Sequence, residues 1–368
     1  MKIERIELRH IKMRLVAPFE TSFGIETDEE HIIVRVDTEG VTGWGESPVG
    51  AEPSYSYETT QTAWHTLRDF LVPAVLHQDI AKVDDAIARM ARVRGHNMAK
   101  ASLESALWDA FAKARGVSLA QALGGTRERI AVGVSVGIQS SPDALVERVT
   151  GYLREGYARI KIKIAPGRDL DFIRAVRHAY PKILLQVDAN SAYTLADVAT
   201  LRAMDAYDLL LIEQPLGYDD IFDHSKLQRE LQTPICLDES IHSLGDARAA
   251  LELGSCRIIN IKPARVGGYT ESKRIHDLCA SRGVPVWHGG MLESGIGRAG
   301  NVALASLPNF TLPGDISASR RYFVQDIVEP EFEVASDGTM AVPTQPGIGV
   351  EVVMDRLERV TVRREEFK

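Results

Sequence analysis

Lys163, Asp188, Glu213, Asp238 and Lys262 follow one another along the chain at steps of 25, 25, 25 and 24 residues. Each stands at or next to the end of a short, β-branched apolar run: IKIKI (160–164), ILLQVD (183–188), LLLIE (209–213), PICLD (234–238) and RIINIK (257–262). IAVGVSV (130–136) precedes this series and VPVWH (284–288) follows it, with a candidate eighth run at 310–315. Amphipathic stretches separate the runs. Strands that alternate with helical segments form parallel sheets through crossover connections. A period near 25 residues brings the chain back to the same rim each time, so the five ionisable residues are expected together at the C-terminal mouth of a barrel. An open doubly wound sheet is the alternative, but no glycine-rich phosphate fingerprint follows an early strand. The expected class is α/β, with a TIM-type barrel.

Before residue 126 the pattern is α+β. Strands are expected at Ile3–Leu8, His31–Val36 and Val41–Glu46, with a loop at Ala17–Thr27 that carries Pro18, Phe19, Phe23 and Gly24. A second loop, Ser47–Tyr57, holds two prolines and two tyrosines. Helical patterns span Glu58–Leu76, Val83–Met90 and Met98–Arg115, the last stopped by Gly116. From about Tyr322 the alternation is lost, and the tail is expected to fold back over the first domain. Trp44 and Trp64 read as core of that first domain.

A net charge of −8 argues against a nucleic-acid partner, and no apolar run is long enough to span a bilayer. The opening MKIERIELRH alternates apolar and polar residues, as a strand does and a signal peptide does not. Cys236, Cys256 and Cys279 are an odd, scattered set in apolar surroundings, which predicts buried thiols in a reducing cytoplasm.

Asp188, Glu213 and Asp238 on adjacent strands make an all-oxygen donor set. Such a set suits Mg²⁺, with Mn²⁺ as a substitute, and no His or Cys cluster stands at zinc-ligand spacing. Lys163 and Lys262, on the second and sixth strands, flank this set from opposite sides of a barrel. A lysine beside a cation loses affinity for its proton and can serve as a base, and a metal-bound carboxylate can hold the charge of an enediolate. Any one of these charges alone is more often a solvated residue or a salt bridge. Five at one rim, with Lys161 inward on the same face as Lys163, favour a functional site over a structural one.

At these residues the chain resembles the enolase superfamily, specifically the muconate-lactonizing-enzyme subgroup with its Lys-X-Lys signature. The resemblance covers nearly the whole chain. It rests on KIK (161–163), VDANSAYT (187–194), IEQPL (212–216), LDES (237–240), INIKPARVGG (259–268) and the helix ASLESALWDAFAKARGVSLAQALGG (101–125). The resemblance implies a modified (β/α)7β barrel over 126–321, an α+β capping domain over 1–125 and a C-terminal segment, 322–368, returning to the capping domain. It implies Asp188, Glu213 and Asp238 as metal ligands, Lys163 and Lys262 as acid–base groups, Lys161 as electrostatic support, and a homo-oligomer, dimer or octamer.

FETSFG (19–24), GVSVGI (133–138) and HGGMLESGIGRA (288–299) are similar to the group that holds the o-succinylbenzoate synthases and N-succinylamino acid racemases. A small carboxylate substrate is therefore expected, with Phe19, Phe23, Ser135, Gly290 and Met291 as candidate contacts. Dipeptide epimerases carry an acidic pair after the eighth strand, where PGDIS (313–317) has Asp315 alone, and muconate cycloisomerization and acid-sugar dehydration fit less well. A non-catalytic barrel that binds a small acid is the reading from a different class. Asn190, Glu239 and Asp315 are expected behind the reacting groups, with Glu239 near the metal or a lysine. Ser135 can bond the substrate or its own backbone. Arg265 can pair a barrel carboxylate or orient the base, and the sequence leaves both open. His288 is placed just after the seventh strand without a partner pattern. Glu293 reads as a solvated loop charge.

Overall fold

Alternating apolar residues at the N-terminus build a long hairpin. Ile3–Thr21 pairs antiparallel with Gly24–Thr38, which pairs with Val41–Ser47, while Thr361–Phe367 from the tail pairs with the outer edge of Ile3–Thr21. The computed structural model describes residues 1–368. Ile6, Leu8, Ile32, Val34 and Val36 bury one face of this sheet against Trp64, Leu67, Leu71, Leu103 and Leu107 from the following helices. Ala17–Thr27 is not the open loop expected from its Pro and Gly. Phe19 pairs with Glu26 and Thr21 with Gly24, so the hairpin continues to its tip, and a register shift between Arg14 and Phe19 absorbs Pro18.

The helices match the helical periodicity. One nearly continuous stretch runs from Thr60 to Val75 through a π-turn at Leu67–Leu71, started by a reciprocal Thr59–Thr62 cap. Val83–Met90 and Asn97–Ala114 follow. Strand Val41–Ser47 lies directly on Asn97–Ala114. A Cβ on Gly45 would stand 2.1 Å from the Ser102 carbonyl oxygen, and one on Gly43 2.1 Å from that of Ala106. Only glycine permits that approach. Trp44, between them, joins the large core shared with the barrel, while Trp64 stays in the core of the first domain. The expectation for Trp44 is corrected accordingly: strand residues on the face away from the N-terminal helices meet the barrel.

Seven parallel strands follow in unbroken order: Gly133–Val136, Arg159–Lys163, Leu184–Asp188, Ile212–Glu213, Ile235–Leu237, Ile258–Ile261 and Val286–His288. The first expected run divides at Val132. Arg129–Ala131 pairs with Thr339–Ala341 of the tail, and Gly133–Val136 enters the barrel. The eighth position is no regular strand. Phe310 bridges to Val286 and Gly314 to Val132, and Gly133 N donates to Gly314 O at 2.7 Å, so these contacts close the ring. His288 is the last residue of the seventh strand, not a loop residue after it.

Carboxylates of the first domain grip helix N-termini of the barrel, where unpaired N–H groups and the helix dipole favour an anion. Buried Glu104 accepts from the Tyr269 and Thr270 N–H groups at 2.8 and 2.9 Å, and from Thr270 Oγ1 and Trp108 Nε1. Replacing Glu104 with Ala strands those donors, and urea unfolding is expected to show a loss of about 2–4 kcal/mol. A change below about 0.5 kcal/mol, the size of an ordinary surface substitution, would mean that this contact does not hold the two parts together.

Candidate functional site

Strand alternation turns Arg159, Lys161 and Lys163 into the barrel, and the next strands offer carboxylates to meet them. Lys163 lies level with Asp188, and Asp188 with Glu213, in the parallel register. Lys161 Nζ reaches Asp315 Oδ2 at 2.6 Å, Glu213 Oε2 at 3.0 Å and Asp188 Oδ2 at 3.1 Å. It lies 5.0 Å from the centroid of the buried Trp287 ring. Lys163 Nζ donates to Asp188 Oδ2 at 2.7 Å and Asn190 Oδ1 at 2.6 Å. On the far side, Lys262 Nζ donates to Asp238 Oδ2 at 2.7 Å and Tyr55 Oη at 2.9 Å. Eight positions around a ring separate neighbours by about 45° each, so the second and sixth positions are diametric.

Every carboxylate here has a partner. Arg265 pairs with Asp238 and also donates to the Ile241 and Asn260 carbonyls, which settles it as a barrel ion pair on the Lys262 side. Asn260 Nδ2 donates to Glu213 Oε1 at 2.7 Å, Arg159 pairs with Asp315 at 2.6 Å, and Asn190 Nδ2 donates to Glu239 Oε1 at 2.8 Å. The second Glu239 oxygen is buried without a hydrogen bond. Asp188, Glu213 and Asp238 face these cations, and no three acidic, His or Cys side chains are grouped at ligand spacing.

The charges shift one another. Burial alone would raise Asp188, but Lys163 and Lys161 hold its carboxyl below the usual range. Burial and the Asp188 charge push Glu213 up to about 7. Burial would lower Lys161 and Lys262. The surrounding acidic groups outweigh it: Asp315, Glu213 and Asp188 raise Lys161, and the Tyr55 phenol, Glu213 and Glu239 raise Lys262. The low lysine pKa expected from the sequence therefore depends on a cation that offsets these carboxylates.

The cavity above, open to solvent, is lined by Lys161, Lys163, Asn190, Lys262 and Asp315 at its floor. Phe19 and Phe23 at the hairpin tip and Ser135, Gly290 and Met291 from the barrel complete the expected contacts. Ser135 is 7% exposed and its hydroxyl has no hydrogen-bond partner, so it is not spent on its own backbone. One expectation fails. Glu293 is buried and accepts from Met291 N at 2.9 Å, because the loop that carries it folds under the first domain. His288 lines a different cavity, beside Arg127 and Phe310, and burial and the Lys262 charge push its pKa down to about 3, leaving it neutral.

Tyr55, Tyr322, Leu292, Glu26 and Glu29 also line the site and were not singled out from sequence. Arg159 and Asn260 were legible, since each lies two residues before an inward lysine. Tyr55 comes from a loop 207 residues from Lys262, and nothing local marks it.

Residues 5–124 match the mandelate racemase / muconate lactonizing enzyme N-terminal domain, and residues 144–356 match the enolase C-terminal domain-like family. The chain belongs to the enolase superfamily. It is 55% identical to an o-succinylbenzoate synthase of Geobacillus kaustophilus over 98% of this chain and 96% of that protein. It is 50% identical to an N-succinylamino acid racemase of Amycolatopsis over 99% of each. A Listeria innocua enolase-superfamily structure, 44% identical, superposes with a TM-score of 0.96 over 100% of this chain and 99% of that one.

Behind the cavity, buried His31 hydrogen-bonds Glu46 at 2.6 Å and lies 3.5 Å from Glu29. Burial would lower His31, but the two carboxylates overcome it and raise the pKa to about 10. The unfolded value is near 6.5. The stabilisation is therefore complete below pH 6.5 and is lost as pH rises through about 10. In chemical denaturation the stability gap between wild type and His31→Gln should narrow across that window, and a constant gap would show that the imidazole is not the charged partner.

Proposed function

We propose that the chain removes the α-proton of a carboxylate substrate and returns a proton on the other face, as an N-succinylamino acid racemase that also has o-succinylbenzoate synthase activity. The observation that carries this reading is the placement of Lys163 and Lys262 across one cavity, each hydrogen-bonded to a carboxylate of the strand-end set. Two bases on opposite faces are what inversion at a carbon requires, and dehydration of a related succinyl substrate starts with the same deprotonation. The 55% and 50% identities to proteins carrying these two names support both activities in one site. Dipeptide epimerization is less supported, because Asp315 is occupied by Arg159 and Lys161 and is not free to take an α-ammonium.

The oxygen chemistry of the donor set suits a hard divalent cation, with the three carboxylates turned here to Lys161, Lys163, Lys262 and Arg265 rather than to one another. Three buried carboxylates on adjacent strands, an unpartnered Glu239 oxygen and a Glu213 carboxyl pushed to about 7 by burial and then by the Asp188 charge describe negative charge that the lysines do not fully offset. Asp188, Glu213 and Asp238 would hold Mg²⁺ or Mn²⁺, which when bound supplies charge to offset the enediolate. The protein's own groups do the rest. Lys163 takes the proton from one face and Lys262 delivers one to the other. Lys161, raised and flanked by Asp315, stays cationic and favours negative charge on the substrate carboxylate. Phe19 and Phe23 cover the mouth and limit water.

Replacing either Lys163 or Lys262 with Ala is expected to lower racemization by roughly 10²–10⁴-fold, while each variant still exchanges the α-proton of one enantiomer in D₂O, followed by ¹H NMR. Equal exchange of both enantiomers by either variant would overturn the two-lysine mechanism. Exhaustive chelation should abolish turnover and added Mg²⁺ or Mn²⁺ restore it; undiminished activity in the chelated protein would remove the metal assignment.

A further inference from the structure

The cavity is bipolar. Its cations, Lys161, Lys163 and Lys262, cluster at the barrel floor. Across from them, the second strand of the hairpin presents Glu26 and Glu29, which line the same cavity. The two carboxyls stand close enough to shift each other's proton affinity, and no Lys or Arg pairs with either one. Glu29 is 7% exposed, and its Oε1 is buried without a hydrogen-bond partner. Its carboxylate is held from behind by His31, which Glu46 anchors in turn, so Glu29 cannot swing out to solvent. A buried, held acceptor that faces a substrate cavity and lacks a donor calls for one from the substrate.

We propose that Glu26 and Glu29 select the substrate side chain, favouring N-acylamino acids whose side chain ends in a cation, as in lysine or arginine. The proposal rests on the α-proton reading above, which places the substrate carboxylate at the lysine end. From there an alkyl stem would run past Phe19, Phe23, Met291 and Leu292 to reach the two carboxyls, an apolar path with an acidic end. Phe19 is the register partner of Glu26, so the acid and the aromatic cover arrive on one hairpin tip. Burial first, and then the Glu29 charge, push Glu26 up to about 7, the signature of two carboxyls that share a proton until a cation separates them. A neutral side chain of the same length would leave the Glu29 oxygen unsatisfied.

The test compares N-succinyl-lysine with N-succinyl-norleucine, which has the same chain length and no charge. Wild type should favour the lysine substrate in kcat/KM by about tenfold or more, the size expected for a hydrogen bond to a charged group. In Glu26→Gln/Glu29→Gln the ratio should fall to about one or below, and Glu26→Gln alone, which leaves the Glu29–His31 pair in place, should move it in the same direction. Circular dichroism checks that each variant folds, and the single variant decides if the double does not. A wild-type preference for norleucine, or a ratio the substitutions leave unchanged, overturns the proposal. Calorimetric binding of the same two compounds separates the two readings. Tighter binding of the lysine compound without turnover keeps the selecting wall and sinks the racemase reading, whereas equal or absent binding sinks the wall.

Discussion

Lysine and carboxylate side chains taken out of water need one another, and this fold depends on that exchange at the strand ends. Burying a single charge costs more than most folds can offset, but charges at level register on neighbouring parallel strands neutralise each other. Lys161 touches Asp188, Glu213 and Asp315 at once, and Lys163 and Lys262 each hold one further contact to a carboxylate. The same network that lets these groups stay buried also sets their proton affinities. Glu213 is pushed up by burial and then by the Asp188 charge, while two lysines outweigh burial at Asp188 and pull it down, so like residues on adjacent strands have unlike chemistry.

The domain that covers the mouth is held over this network by electrostatics of its own. Glu104 binds the N-terminus of Tyr269–Ser281. Glu46 accepts from Ser294 and Gly297 at the start of Gly295–Ala305. Asp109 accepts from Trp44 and from Ile348 of the tail. Anions on helix N-termini fix direction as well as distance. They hold the hairpin so that Phe19, Glu26 and Glu29 at its tip, and Tyr55 in the next loop, stand above the lysines. Gly43 and Gly45 serve the same end by letting strand and helix backbones meet. The domain that supplies the cover is thus joined to the helices that follow the sixth and seventh strands.

Much of this was written locally. Strand alternation and the near-25-residue step placed Lys161, Lys163, Asp188, Glu213, Asp238 and Lys262 at one rim, because period two and a repeated βα length are properties of neighbours in sequence. Residue type determined the donor chemistry, and burial of all three free cysteines followed from their apolar surroundings. Where local reading failed, a distant contact had intervened. Pro18 and Gly24 suggested a loop, but pairing along the hairpin carried the strands through to the tip. Glu293 looked solvated until the first domain covered it.

The sequence by itself determined the barrel, the identity of its strand-end charges and the family they belong to, since each of these depends on spacing and residue type. Tertiary structure alone decided that Tyr55 meets Lys262, that His288 faces another cavity, that Arg265 pairs with Asp238, and that an acidic pair looks across at the lysines. It also decided the direction of the lysine pKa values. The reason is physical: proton affinity and contact depend on distances through space in a medium of low dielectric, and no periodicity along the chain encodes how two separately folded parts dock.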